Sequence, residues 1–366
     1  MYSGTLVVTL QFPHNVPMSN DFADRLLIWF HQHGRQDLPW QQDISPYRVW
    51  ISEIMLQQTQ VATVIPYFER FLKAFPSVEL LAHADEDAVL HQWTGLGYYA
   101  RARNLHKTAK LLMTRFDGEF PLEVNQLTAL PGIGKSTAGA IVATCTDRKA
   151  VILDGNVKRV LSRCFAIAGW PGHPAVAAQL WQKAEALTPV ANVADYTQAI
   201  MDLGAMVCTR SRPDCSACPF EDSCVANRTR QIEAYPGRKP KKELPVQTTI
   251  MLVIENYEGH ILLEKRPSRG LWGGLWSFPE IPDFESIEDY LQAGDMVPVR
   301  IEALPKFRHS FTHFHFDITP VHIRIADVNA VNQDSRSRCW YSTSNPVELG
   351  LTRPVTKILT DLLRPL

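Results

Sequence analysis

LPGIGKSTAGAIVATCTDRKAVILDGNVKRV, residues 130–160, is the stretch that decides how this chain folds. Pro131 ends one helical run, because a proline has no N–H with which to continue it. Gly132 and Gly134 permit positive φ and let backbone N–H groups come close to an anion where the next helix starts. Two helices joined by so short a turn form a hairpin suited to a DNA phosphate, with no reading of base sequence. Small glycine turns between helices are also common structural joints, so this one gains meaning from its neighbours in the chain. After the apolar run Val151–Leu153 comes Asp154, at a turn. An Asp before Gly-Asn-Val-Lys suits a helix N-cap; a catalytic carboxylate is the other reading.

Upstream and downstream the helical pattern continues. From Asn20 to about Ala226 apolar residues recur at helical spacing, as in Phe22, Leu26, Leu27 and Phe30. Pro66, Pro76, Pro121, Pro171 and Pro189 punctuate the run, which predicts many short helices and no strands. Within VWISEIMLQQTQ, residues 49–60, Glu53 is the only acid on an apolar helix face, with Gln57 and Gln60 on the same side. A buried carboxyl keeps its proton near neutral pH. The other reading is a structural Glu that makes a cap or a hydrogen bond.

The chain holds seven cysteines in 366 residues. Cys145, Cys164 and Cys339 stand apart and read as buried thiols. Cys208, Cys215, Cys218 and Cys224 follow the spacing C-x6-C-x2-C-x5-C, all within 17 residues. An odd total argues against a disulfide framework, and the tight group of four argues for a metal. Zinc sites usually draw two C-x2-C pairs from separate knuckles, so one compact loop favours a [4Fe–4S] cluster. Such a cluster would stiffen the loop and present Arg210 and Arg212 outward, toward phosphates.

Residues 227–245 mix Arg228, Arg230, Arg238, Lys239, Lys241 and Lys242 with four Pro or Gly residues, and read as a basic linker. It is either a solvated charge run or a strap on phosphates. After Pro245 the pattern changes to strands: Thr248–Glu255, His260–Leu263 and Phe314–Ile325, with a closing helix at Thr356–Leu363. Formal net charge is −1, so any DNA-binding charge is local. No stretch is long and apolar enough to span a membrane. Residues 1–17 lack a signal-peptide pattern and read as a tail or a misassigned start, and a cytoplasmic location follows by default.

A hairpin turn, an aspartate some 20 residues on, and the four-cysteine loop together resemble the endonuclease III superfamily of DNA glycosylases. The resemblance is closer to its MutY family of adenine glycosylases. It runs through residues 38–71, WTGLGYYARARNLH (93–106), LPGIGKSTAGAI (130–141), LDGNVKRV (153–160), 201–219, GLWGGLWSFPE (270–280) and FRHSFTHFHFDI (307–318). It implies a multidomain chain: a tail (1–18), an all-α helix-hairpin-helix glycosylase domain with the cluster loop (19–226), the linker, and an α+β Nudix-like domain (246–366).

By this resemblance Glu53 protonates adenine, and Asp154 stabilises the positive charge that develops on the sugar, supported by Asn156 and Ser136. Two carboxylates about a scissile glycosidic bond is the general logic of such hydrolysis. Leu38, Trp40, Val61 and Gln198 map around an extruded adenine. Gln58 and Tyr98 match wedge residues that fill the gap in the duplex, although Tyr98 beside Gly95 and Gly97 otherwise reads as a core aromatic. Gly132, Gly134, Lys158, Arg210 and Arg212 complete the expected DNA contacts. Position 136 carries a catalytic lysine in the strand-cutting relatives. Ser136 therefore implies base removal without efficient strand cleavage, with Lys158 giving at most incidental trapping. Phe311, Thr312 and His313 match a tip that recognises 8-oxoguanine, with Thr in place of Ser; read alone they are a cluster at a strand end. The Nudix-like part lacks the glutamate run that holds magnesium, which implies no pyrophosphatase activity. The implied partner is double-stranded DNA with A:8-oxoguanine or A:G mispairs, bound by a monomer. A thymine-glycol glycosylase with lyase activity and a non-catalytic iron–sulfur DNA-binding protein are the rival readings.

Overall fold

The computed structural model of the chain describes residues 18–240, 243–326 and 337–362. Residues 1–17 of the expected tail, and Lys241 and Lys242 of the linker, lie outside the described residues. Among the described residues every regular element before residue 246 is helical, as the periodicity predicts. Local chemistry sets the ends. Ser77 caps the helix Val78–His83, its Oγ accepting the Leu80 N–H at 3.2 Å. Asp117 and Asp147 close the helices Ala100–Phe116 and Lys135–Thr146 in the left-handed conformation.

The chain divides into two compact units, Met1–Glu53 with Phe120–Pro240 and Ile54–Glu119 with Lys241–Leu366. The first is all helical. Phe22, Leu26 and Phe30 of the helix Met18–His33 pack with Val157, Val160 and Leu161, Leu180, Ile200 and Phe220, and Cys208, Cys218 and Cys224 lie against the same core. Residues 229–240, which read as linker, lie on this unit: Arg163 Nε donates to the Tyr235 carbonyl at 3.0 Å, and Lys239 stands over the Trp170 ring.

The second unit joins a group of helices to a mixed sheet of eight strands. The strands are β1 (Val246–Glu255), β2 (Ile261–Lys265), β3 (Trp276–Ser277), β4 (Glu280–Ile281), β5 (Pro298–Ala303), β6 (Phe307–Ser310), β7 (His315–Ile325) and β8 (Arg338–Tyr341). The main path is β3-β2-β1-β7-β5, and among these described strands only the pair β1 and β7 is parallel, in register from Val246↔His315 to Glu255↔Arg324. Residues 250–254 of β1 (IMLVI) are all buried because both sheet faces are covered. Met251 and Val253 face a core closed by Val355, Ile358 and Leu359 of the helix Arg353–Leu362, and Ile250, Leu252 and Ile254 face Ile287 and Leu291 of the helix Ser286–Ala293. The helices of this unit meet the sheet through Asp87, which pairs with Lys265 Nζ at 2.8 Å and accepts from Trp276 Nε1 at 3.3 Å.

In the first unit, Gly139 lets the helix Lys135–Thr146 lie directly on the segment that leads to Asp154. A Cβ there would sit 2.2 Å from the Val151 carbonyl oxygen, a backbone atom that cannot swing away. We expect Gly139→Ala to cost about 1–3 kcal/mol, read as a lowered midpoint of urea unfolding; an unchanged midpoint would show the two segments free to separate.

Candidate active site

Asp154 is the N-cap of the helix Gly155–Cys164: its Oδ1 accepts the Val157 N–H at 2.8 Å. Burial raises the carboxyl's pKa, while the N–H groups of Val157 and Asn156 and the charges of Arg159 and Lys158 lower it. Ser136 Oγ accepts the Leu153 N–H at 2.9 Å, so the hydroxyl fixes the peptide that enters Asp154. Arg159, which the sequence did not single out, donates from Nη2 to Asn156 Oδ1 at 2.8 Å and to the Gly204 carbonyl at 2.6 Å. Its Nε donates to the Cys208 carbonyl at 2.7 Å. Asn156 and Arg159 are three residues apart on one helix face, the only hint the sequence offers.

Glu53, on the helix Pro46–Leu56, has its carboxyl pushed up to about 8, first by burial and then by the Asp154 carboxylate. Burial raises both acids, but only Asp154 has donors that oppose it. Asp154 is thus the member that ionises first, and Glu53 the one that keeps a proton at neutral pH.

Leu38 and Trp40 are buried at the short 3-10 turn Pro39–Gln41. The Leu38 N–H donates to Gln41 Oε1 and Gln41 Nε2 to the Arg35 carbonyl, both at 2.9 Å. Arg35 in turn grips the fully buried Asp202 through its N–H at 2.7 Å and Nε at 3.0 Å, and Gln198 Nε2 donates to the same carboxylate at 2.8 Å. Leu38 and Gln198 are thereby tied into one network. Val61 opens the helix Val61–Ala74 in the second unit.

The four cysteines come together. They line one cavity with Val160, Arg163 and Leu203. Arg163 Nη1 donates to Cys208 Sγ and the Phe220 N–H to Cys218 Sγ, each at 3.4 Å. Burial pushes the Cys218 thiol up to about 12, against the Phe220 N–H, and the other thiols add to the rise. Burial raises the Cys215 thiol as well, whereas Cys224 is lowered to about 6, first by a hydrogen bond with Cys164. Four soft sulfur donors about one cavity are the donor set of a cationic thiophilic centre. Among the described residues no three His, Cys, Asp or Glu side chains are close enough together to hold a single metal ion. Arg210 and Arg212 are exposed, with their carbonyls held by Arg163 Nη2 at 3.1 Å and Thr209 Oγ1 at 2.6 Å.

At the hairpin, Gly132 has φ +80, as expected of a glycine turn. Gly134 corrects the expectation: it is the extended N-cap of the helix Lys135–Thr146, with φ −84 and ψ 168. Its missing side chain matters for space, not for strain. A Cβ there would meet nothing within 4 Å, so the helix N-terminus is open to close approach from outside.

In the second unit Gln58, Tyr98, Phe311, Thr312 and His313 line one cleft, together with Trp272 and Arg353. Gln58 and Tyr98 both have left-handed backbones, φ 61 and φ 50, and Tyr98 is 50% exposed rather than a core aromatic. Phe311–Phe314 is the turn between β6 and β7, closed by the Phe311 N–H on the Phe314 carbonyl at 2.9 Å. Phe311 packs against Trp272, His309 and Phe314, with ring centroids 5.4, 4.6 and 4.7 Å away. Thr312 and His313 are exposed at the tip.

This fold and site define a base-excision class. Residues 51–186 match the HhH-GPD superfamily of base excision DNA repair proteins, and residues 250–361 match the NUDIX domain. The chain is 39% identical to the adenine DNA glycosylase of Buchnera aphidicola subsp. Baizongia pistaciae (strain Bp), over 93% of this chain and 96% of that protein. It is 34% identical to the adenine DNA glycosylase of Homo sapiens, over 80% of this chain and 65% of that protein. A solved thermostable thymine-DNA glycosylase shares the helical fold, with a TM-score of 0.52 and 24% identity over 58% of this chain and 97% of that one. The chain belongs to the adenine DNA glycosylase family. No helix among the described residues is long and apolar enough to cross a membrane.

The Arg35–Asp202 pair is the most exposed to disruption of the contacts around this site. Arg35→Ala leaves a wholly buried carboxylate unpaired, and we expect a loss of about 3–5 kcal/mol. Arg35→Ala combined with Asp202→Asn should recover much of it in the same unfolding measurement; no recovery would mean that Arg35 acts through its packing alone.

Proposed function

We propose that the chain is a monofunctional DNA glycosylase that hydrolyses the N-glycosidic bond of adenine opposite 8-oxoguanine or guanine, acting as a monomer on cytoplasmic DNA. The observation that carries this is the division between the two buried carboxyls: burial and the Asp154 carboxylate push Glu53 up to about 8, while at Asp154, which burial also raises, N–H donors and cations oppose the rise. Glu53 is the acid that delivers a proton to the adenine ring and makes it a leaving group. Asp154 stabilises the cationic sugar that remains, before water completes the reaction. Asn156 and Ser136 hold this geometry, Ser136 through the Leu153 N–H. Leu38, Trp40 and Gln198 lie about the extruded base, and Val61 is assigned to it by the sequence resemblance alone.

With serine rather than lysine at position 136, no amine attacks the sugar there, and the strand is left intact. Gln58 and Tyr98 take the place of the extruded adenine in the stack. Phe311, Thr312 and His313 recognise 8-oxoguanine from the aromatic-backed turn of residues 246–366. The hairpin at Gly132 and Gly134, with Lys158, Arg210 and Arg212, contacts phosphates. Cys208, Cys215, Cys218 and Cys224 hold a [4Fe–4S] cluster. Four thiols of one compact C-x6-C-x2-C-x5-C loop lining one cavity support a cluster over zinc, whose sites usually draw two C-x2-C pairs from separate knuckles. When bound, the cluster supplies rigidity to the loop that carries Arg210 and Arg212.

Incubation with a duplex holding one A opposite 8-oxoguanine tests the reading. A strand break that appears only after alkali is expected. Breaks without alkali would mean lyase action, and intact DNA from protein carrying about four irons per chain would end the glycosylase assignment. Glu53→Gln should abolish excision while leaving duplex binding in place. In the native enzyme Glu53 acts protonated, so the single-turnover rate should fall as pH rises through about 8, by about tenfold per unit well above it, and should fall again on the acid side where Asp154 takes up its proton. A rate that rises through pH 8 would assign the proton to another group.

A further inference from the structure

Arg101 takes no part in the carboxylate site or the cysteine loop, yet it is 9% exposed and spends a full positive charge inside the second unit. Its Nη1 lies 2.9 Å from the Ile54 carbonyl, 2.8 Å from that of Met55 and 2.6 Å from that of Gln57. Its Nη2 lies 3.3 Å from Thr59 Oγ1, 3.4 Å from the Leu96 carbonyl and 3.2 Å from that of Gly97. The acceptors thus come from two separate segments. The carbonyls of Gln57 and Gly97 belong to the peptide bonds that lead into Gln58 and Tyr98. Those two residues are left-handed, and each lines the cleft at Phe311 and His313. The guanidinium also stands 5.4 Å from the Tyr98 ring centroid and 5.4 Å from that of Trp93, whose Nε1 donates to the same Gly97 carbonyl at 3.1 Å.

A left-handed conformation at a residue with a side chain is held by its surroundings, at about 1–3 kcal/mol each. Here one rigid fork supplies the hold for both. Burying a guanidinium is unfavourable unless its donors are met, and backbone carbonyls, two of them at the C-terminal end of the helix Pro46–Leu56, meet them. Helix capping alone needs one of the two segments; joining both requires the fork.

We propose that Arg101 is a positioning residue for strand penetration: by clamping the peptides before Gln58 and Tyr98 it sets the two wedges at a fixed separation, so that they enter the duplex as one unit. This rests on Gln58 and Tyr98 being the wedges. The clamp makes unstacking of the target base, rather than proton transfer, the step that Arg101 controls. A lysine has one ammonium on a flexible stem and serves one segment at a time.

The test reads base unstacking directly, through the fluorescence of 2-aminopurine placed opposite 8-oxoguanine in a duplex bound by the iron-loaded protein. Arg101→Lys should retain iron and its melting midpoint within a few degrees, and lose about 10- to 100-fold in the single-turnover rate of unstacking. Gln58→Ala with Tyr98→Ala should lose a similar factor, and adding Arg101→Lys to that pair should change little further. Wild-type unstacking by Arg101→Lys overturns the proposal, as does a loss that multiplies in full on the double-alanine background, which is the mark of a merely structural residue. Normal unstacking by the double-alanine protein would instead remove the wedge reading, and the clamp's role with it. Should Arg101→Lys prove too unstable to purify, Arg101→Gln removes the buried charge while keeping two N–H donors for one segment, and the same loss is expected.

Discussion

The hydrogen bond from the Val157 N–H to Asp154 Oδ1 is the contact on which the first unit turns. A carboxyl stays buried only where donors answer it, and these donors belong to the helix that Asp154 itself caps. Acid and helix therefore hold each other in place. The same helix is fastened along its length by Arg159 to the Cys208 and Gly204 carbonyls, and by Arg163 to Cys208 Sγ and the Thr209 carbonyl. Gly204 allows this closeness: a Cβ on it would stand 2.5 Å from Asn156 Cβ. The order of the cysteine loop is thus carried by one rigid element to the carboxylate at its far end. A loop of 17 residues with four thiols and exposed arginines has little apolar surface of its own to fold upon, and the proposed cluster would give it an interior.

The second unit uses a different device. Gln58, Tyr98 and Trp272 all have positive φ, at 61, 50 and 51, and all line the same cleft. Strain of this kind persists where surroundings over-determine the backbone, and the surroundings here are specific. Arg101 holds the first two. Trp272 lies between the rings of His309, Phe311 and Phe316, with Arg266 over its own ring. Three strained residues about one opening, each locked by an aromatic or guanidinium group, mark it as a surface shaped before anything binds to it.

Much of this was legible in the sequence, for identifiable reasons. Helices came from spacing and proline stops, β1, β2 and β7 from runs of β-branched residues, and the cysteine set from intervals along the chain. Each of these signals is local. Asp154 reads as an N-cap or as a catalytic group, and the geometry makes the first the means by which the second is possible. What escaped was everything that depends on long-range approach. Arg101, Arg159 and Arg163 look like surface charges on helices, and only the fold shows their heads buried on carbonyls of segments more than 40 residues away in sequence. Gly134 escaped for another reason: a glycine kept for open space and one kept for positive φ look identical in a sequence.

The turn that carries Thr312 sits on a stiff base, which bears on the proposal that Thr312 stands where the family resemblance implies a serine. β7 is paired with β1 over ten residues in parallel and with β6 up to Ser310↔His315, so the turn between β6 and β7 inherits a fixed register. A slip of one residue would turn Phe316 and Ile318 out of the core, which the burial of both forbids. Phe311 is pinned by three rings, and the turn closes on its own backbone, so neither relies on the side chain at position 312. Thr312 is exposed, and its Oγ1 lies 3.5 Å from His313 Nδ1. A hydroxyl on a turn whose shape is set by its flanks can gain a methyl without moving. The same substitution on a loop shaped by its own side chains would not be so free.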